Sequence, residues 1–260
     1  MKNRCLVVTA TLCLLLAVPA MADTLFVGTT GSLSASANFH SDAGNLVITL
    51  TNTGIEASDP AQALTGVYFN FPGNVALSPQ SVVIPAGSSL LNWDTCSVKS
   101  GNNTTNPCTA STTNVGGEFA YSNNLGSGSV WAGANQGVSS AGLGVFGGSN
   151  FASGVNLSDP KGIDGPNFSI VNGLASGANG GITSVPTINN SVVITLAGVG
   201  INFDTSTINH VWFQYGTATT DAHFCADGSC TPPRVPEPGS MLLLGTGSLA
   251  AAGFLRRRLR

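Results

Sequence analysis

Positive charge is nearly missing from the interior of this 260-residue chain. Of its nine Lys and Arg, Lys2, Arg4, Arg256, Arg257, Arg258 and Arg260 crowd the ends, so residues 23–234 keep only Lys99, Lys161 and Arg234. Three basic against eleven acidic side chains give that segment a net charge of −8. Such a surface repels nucleic acid, because phosphate recognition needs clustered Lys and Arg. Amphipathic helical periodicity is also lacking between residues 23 and 234. Catalytic signatures are absent as well. There is no G-x-S-x-G elbow and no H-E-x-x-H pair, and His40, His210 and His223 stand in separate polar settings. No catalytic residue, metal ligand set or cofactor is therefore assigned.

Three local patterns invite a site and do not earn one. Gly142–Gly147 reads G-x-G-x-x-G, but it lacks the preceding strand and following helix of a dinucleotide loop. Asp159–Pro166 holds two carboxylates that could ligate calcium, yet its Asp-Pro and Asp-Gly pairs are ordinary turn dipeptides. Trp93, Trp131 and Trp212 could build a sugar-stacking platform, with Trp212 favoured because His210 and Gln214 share its strand face. The competing reading places tryptophans in the core, their usual location.

What is present begins at the ends. Met1-Lys2-Asn3-Arg4 is followed by an apolar run from Cys5 to Val18, broken only by Thr9 and Thr11, and then by Ala20-Met21-Ala22. A charged start, an apolar stretch and small residues at −3 and −1 define a secretory signal peptide over residues 1–22. It implies passage through the Sec translocation machinery and cleavage after Ala22. At the other end, Val235-Pro236-Glu237-Pro238-Gly239-Ser240 precedes the uncharged stretch Met241–Leu255, then Arg256-Arg257-Arg258-Leu259-Arg260. Proline cannot continue a helix, and it pushes the residue before it toward an extended conformation. Residues 235–240 thus form an exposed strip. As a helix, residues 241–255 reach roughly 22 Å at about 1.5 Å per residue, a marginal crossing of a core about 30 Å thick. The arginines stay cytoplasmic as a stop-transfer cluster, so both ends give one orientation, with residues 23–234 outside the cytoplasm.

The ordered triple of Pro-Glu-Pro, apolar span and arginine cluster resembles the PEP-CTERM sorting tail. That resemblance implies recognition by exosortase, a membrane-embedded cysteine transpeptidase-like enzyme. It also implies a transient stay in the inner membrane, followed by release to the cell surface or beyond. Val235, Pro236, Glu237 and Pro238 would carry the recognition.

For the segment between, the expected fold is an all-β antiparallel β-sandwich. Leu46–Thr51, Val67–Phe71, Ser191–Leu196 and Ile208–Tyr215 are rich in β-branched and aromatic residues, and turn residues bound them. Thr24–Val27, Gln80–Ile84, Glu118–Tyr121, Ser129–Ala132 and Asn167–Val171 are shorter candidates. Gly44–Gly54 and Asn190–Gly200 resemble one another (GNLVITLTNTG and NSVVITLAGVG). Leu33–Phe39 followed by residues 44–54 resembles the start of other exosortase-sorted surface domains. Four cysteines remain after cleavage of the leader: Cys96, Cys108, Cys225 and Cys230. Outside the cytoplasm they are expected to form two disulfides. Of the three possible connectivities, the local one, Cys96–Cys108 with Cys225–Cys230, is favoured, and closing the first loop would contribute roughly 3 kcal/mol. Zinc is the competing reading, but the repeated short Cys spacing it requires is missing.

The reading that unites these features is a non-enzymatic surface or extracellular-matrix protein of a Gram-negative bacterium, associated with exopolysaccharide or biofilm. Extracellular polysaccharide would be its partner. A carbohydrate-binding or adhesive module is the alternative, and a secreted hydrolase a further one.

Overall fold

The computed structural model describes residues 23–95, 97–100, 104–123, 125, 129–143, 155–156 and 165–230. The signal peptide with Ala20 and Ala22, Cys96, most of Asp159–Pro166, Gly144–Gly147 and the whole tail from Val235 to Arg260 lie outside these residues. The chain divides into two compact units, Met1–Ser229 and Cys230–Arg260. Within the second, only Cys230 is described.

The strands, in chain order, are β1 (Thr24–Thr30), β2 (Leu33–Asp42), β3 (Asn45–Asn52), β4 (Leu64–Asn70), β5 (Ser78–Val83), β6 (Ser89–Leu91), β7 (Ser97–Ser100), β8 (Thr104–Pro107), β9 (Ala120–Ser122), β10 (Gln136–Ser139), β11 (Val155–Asn156), β12 (Ile170–Val171), β13 (Thr187–Asn189), β14 (Ser191–Ala197), β15 (Asn209–Tyr215) and β16 (His223–Cys225). The one α-helix among the described residues is α1 (Gly180–Thr183). The first sheet runs β1-β2-β3-β14-β5 and is antiparallel throughout. In the second, β11, β9, β10, β4, β15 and β16 are successive antiparallel neighbours. A short branch of β12, β13 and β6 joins β4 at Leu64, and its β12–β13 pair is parallel. β7 and β8 form a separate hairpin.

Period-two alternation builds the core. Ala35, Ala37 and Phe39 of β2, Leu46, Ile48 and Leu50 of β3, and Val192, Ile194 and Leu196 of β14 are fully buried on one side of the first sheet. Val67 and Phe69 of β4 and Val211, Phe213 and Tyr215 of β15 face them from the second sheet. The Phe39 ring meets Phe69 edge-on at 5.2 Å across the sandwich, a geometry that adds roughly 1 kcal/mol to simple burial. The two similar segments of the sequence are strand neighbours: Leu50 pairs with Val192, Ile48 with Ile194, and Leu46 with Leu196. Between β2 and β3, Ala43 (φ 47°) and Gly44 (φ 84°) form a two-residue hairpin loop, and two positive φ angles there match the right-handed strand twist.

Polar groups fasten the sheets together where the chain crosses between them. Asn52, at the end of β3, is buried, and its Nδ2 donates to Ile170 O at 2.9 Å. Its Oδ1 accepts from Gly54 N at 3.0 Å and lies 3.2 Å from the Tyr215 hydroxyl. That hydroxyl is 2.8 Å from Ser34 O, and burial holds its ionisation well above the ordinary tyrosine range. Each of these groups would cost about 1–3 kcal/mol if buried without its partner.

Two sequence expectations change. Ser129–Ala132 forms no strand, and the pairing strand is β10, seven residues later in the chain than Ser129. Asn167–Val171 shrinks to the two residues of β12.

Candidate functional site

The two sheets differ in what lies on their outer faces. On the second sheet, Tyr68 of β4 points away from the sandwich core and is fully buried. Trp131 stacks on it with ring centroids 3.6 Å apart and planes 7° from parallel. Leu125, Ala141 and Leu143 complete this second core. It closes so tightly over Gly137 that a Cβ there would meet the Tyr68 ring at 2.4 Å. Buried amides tie it down. Trp131 Nε1 donates to Gln214 Oε1 at 3.2 Å, and Gln214 Nε2 donates to Ala218 O at 3.1 Å. At the neighbouring edge, the Tyr121 hydroxyl donates to Gln136 Oε1 and accepts from Leu77 N at 2.9 Å. Burial pushes the ionisation of Tyr121 up.

The sugar-stacking platform is therefore not assembled. Trp131 is a core residue, and Trp212 is half-buried against the same cluster with its Nε1 donating to Ala132 O at 3.1 Å. Trp93 is exposed, in a 3-10 turn apart from both. Gln214, read from sequence as an outward polar neighbour of Trp212, is completely buried as the acceptor for Trp131.

The histidines also stay separate. His40 Nδ1 sits 2.7 Å from Asp23 Oδ1. His210 Nδ1 lies 2.5 Å from Asn209 Oδ1, and His223 Nδ1 3.0 Å from the backbone oxygen of Asp221. The Asp23 carboxyl is held below its usual range, first by the Asn38 side chain, whose Nδ2 donates to it at 2.9 Å, and then by His40. Among the described residues no group of three His, Cys, Asp or Glu is placed to hold a metal ion, and no helix is long and apolar enough to cross a membrane. Cys108, Cys225 and Cys230 are disulfide-bonded, and Cys225 and Cys230 lie at disulfide distance.

The outer face of the first sheet has no such cover among the described residues. Leu25 and Val27 of β1 are 62% and 42% exposed. The outward residues of β2, β3 and β14 alternate as partly exposed positions between fully buried ones. Sequence reasoning missed this face because it missed β2 as a strand. Leu33-Ser34-Ala35-Ser36-Ala37-Asn38 has too little β-branched character to announce one, although its Ser/Ala alternation carried the signal.

The described sandwich is antiparallel in its main pairings and disulfide-bonded at Cys108, Cys225 and Cys230. The chain's C-terminal extension matches a family model, the PEP-CTERM protein-sorting motif, over residues 234–258. The chain thus carries the sorting tail that marks PEP-CTERM proteins. The motif marks it for processing by exosortase, with a transient membrane stage on the way to the surface. No curated protein and no solved structure matches it significantly.

Proposed function

We propose that this protein is a non-catalytic surface or matrix component of a Gram-negative bacterium, delivered by exosortase and held among extracellular polysaccharide. The observation that carries this reading is the sorting motif at residues 234–258. The tail divides the labour of sorting. Val235–Pro238 present an extended backbone, because prolines stop helix from spreading out of the bilayer. Met241–Leu255 hold that strip at the outer surface of the inner membrane. Arg256–Arg258 and Arg260 stop transfer, since drawing each arginine through the hydrocarbon core costs several kcal/mol. Glu237 is the sole charge between Val235 and Leu255, which makes its carboxylate the recognition handle.

The sandwich supports a structural role in its own way. Its histidines bond to neighbouring side-chain or backbone oxygens on separate elements. Its buried polar groups link strands and loops. The test is an immunoblot of fractionated cells producing the wild type or Glu237→Ala. The wild type should appear shortened at the surface, and the variant should accumulate uncut in the inner membrane. Equal processing of both would remove Glu237 from recognition, and loss of exosortase without effect on either would end the sorting assignment.

A further inference from the structure

We propose that the outer face of the five-stranded sheet, over which no core of described residues closes, is a docking surface for a neutral polysaccharide chain. This rests on the matrix reading above and names the surface that would serve it.

Strand register fixes the composition of the face. Leu25, Asn38, Thr49, Val193 and Val83 form one row across the five strands. His40, Val47, Thr195 and Ser81 form the next row, and Val27, Ser36 and Thr51 lie on the other side. Side chains in such rows stand about 5 Å apart across strands and point the same way. A further row, Asp42, Asn45, Ala197 and Ser78, ends the face at the β2–β3 turn, so the grid holds hydroxyls, two amides, branched methyls and one exposed carboxylate at its end. A sugar chain offers the complement, with hydroxyls that donate and accept along its edges and C–H groups on its ring faces. Ser and Thr hydroxyls do both, while Val47, Val193 and the threonine methyls meet the rings.

Charge selects the class of polymer. The domain carries −8 overall, yet on this face charge is limited to the Asp23–His40 pair and the exposed Asp42, which lie together toward the β2–β3 turn. None of Lys99, Lys161 and Arg234 belongs to its strands. An anionic polymer or an anionic lipid surface finds no cation here. A cationic polymer would find nine of the eleven acidic residues of 23–234 outside this face, and only Asp23 and Asp42 at its end.

Size argues against a second copy of the chain as occupant. Five strands at about 4.8 Å spacing, with about seven residues each, present roughly 550 Å². A stable protein interface takes about 800 Å² from each partner. A small contact of this kind suits a repeating polymer, on which many weak sites add up through multivalency.

The test uses the processed protein isolated from the cell surface, run in native gels containing hydroxyethyl cellulose, dextran or galactomannan as neutral polymers. Alginate serves as the anionic polymer and chitosan as the cationic one. The wild type should be retarded by at least one neutral polymer and not by alginate. Thr49→Glu and Thr49→Lys should both weaken that retardation about ten-fold, because either charge would be desolvated against an uncharged partner. The loop variant Ala76→Glu should bind as the wild type does. Ser36→Glu repeats the test at an independent site should Thr49 variants fold poorly, with thermal melting as the control. Retardation by a neutral polymer that survives every face variant would overturn the face assignment while leaving the matrix reading intact. Retardation by alginate alone would overturn the neutral class. Retardation by none of the polymers would overturn both the docking face and the polysaccharide reading. A concentration-dependent dimer abolished by Thr49→Glu would give the face to a second copy instead.

Discussion

The two outer faces of this sandwich are built on opposite plans. The second sheet carries Tyr68 outward and then buries it under Trp131, Leu125 and Leu143, so its central strand is buried on both sides. The first sheet carries Asn38, Thr49 and Thr195 outward and leaves them partly exposed. A large aromatic cannot be left in water without cost, whereas hydroxyls and small methyls can. Composition along an otherwise similar strand therefore decides whether a face becomes a second core or remains a surface. In β4, Leu64–Phe69 are all buried, whereas in β3 buried and half-buried residues alternate from Asn45 to Asn52.

Substitutions can break that contrast, and the largest effect is expected at the covered face. Trp131→Ala removes the stacking on Tyr68 and leaves Gln214 Oε1 without its donor. A loss of about 3–5 kcal/mol is expected, lowering the melting temperature by roughly 10 °C in a domain of this size. A shift of only a degree or two would mean that the cover is not part of the cooperative core.

Tyr68→Phe should act in the opposite direction. The Tyr68 hydroxyl is buried and makes no hydrogen bond of ordinary geometry among the described residues; burial holds its ionisation far above the usual tyrosine range, offset only in part by the nearby Ser139 side chain. Removing it should leave stability unchanged or raise it by up to about 1 kcal/mol, readable as a denaturation midpoint moving upward. A clear fall would show that the hydroxyl has a partner.

The bare face should tolerate exchange. Val193→Thr and Thr49→Ser are expected to change stability by no more than about 0.5 kcal/mol. A loss comparable with that at Trp131 would show that the face is covered after all.

The smallest effect concerns Asp23 at the corner of that face. Its folded-state ionisation is depressed by Asn38 and His40, so its contribution is present above the unfolded carboxyl value of about 3.9. It is lost as pH falls through the lower, folded value. Asp23→Asn should remove part of the acid-limb slope below about pH 4 in a stability profile and leave neutral pH almost unaffected. Solvent exposure keeps the effect slight.

Much of the architecture was legible where side chains commit to strand. Leu46–Thr51, Ser191–Leu196 and Ile208–Tyr215 alternate or cluster β-branched and aromatic residues, and each became a long strand. β2 was hidden because its inward residues include Ala35 and Ala37, whose strand preference is low, and only register against β1 and β3 reveals them as core. For Trp131 the core reading holds but the strand expected over Ser129–Ala132 does not form, because the burial comes from tertiary packing on a strand more than sixty residues earlier. Gln214 follows from Trp131, since a buried indole N–H requires an acceptor that local sequence does not name. The sorting motif was the most legible feature because its information is linear. An extended strip, an apolar span and a basic end need only their order.

The most direct measurement is the intact mass of the protein recovered from the cell surface. The account predicts a species that begins at Asp23 and lacks Met241–Arg260, carrying whatever group exosortase transfers to the new C-terminus. A wild-type protein found only in the inner membrane, with Arg256–Arg258 still attached, would make the tail a plain anchor and contradict the account.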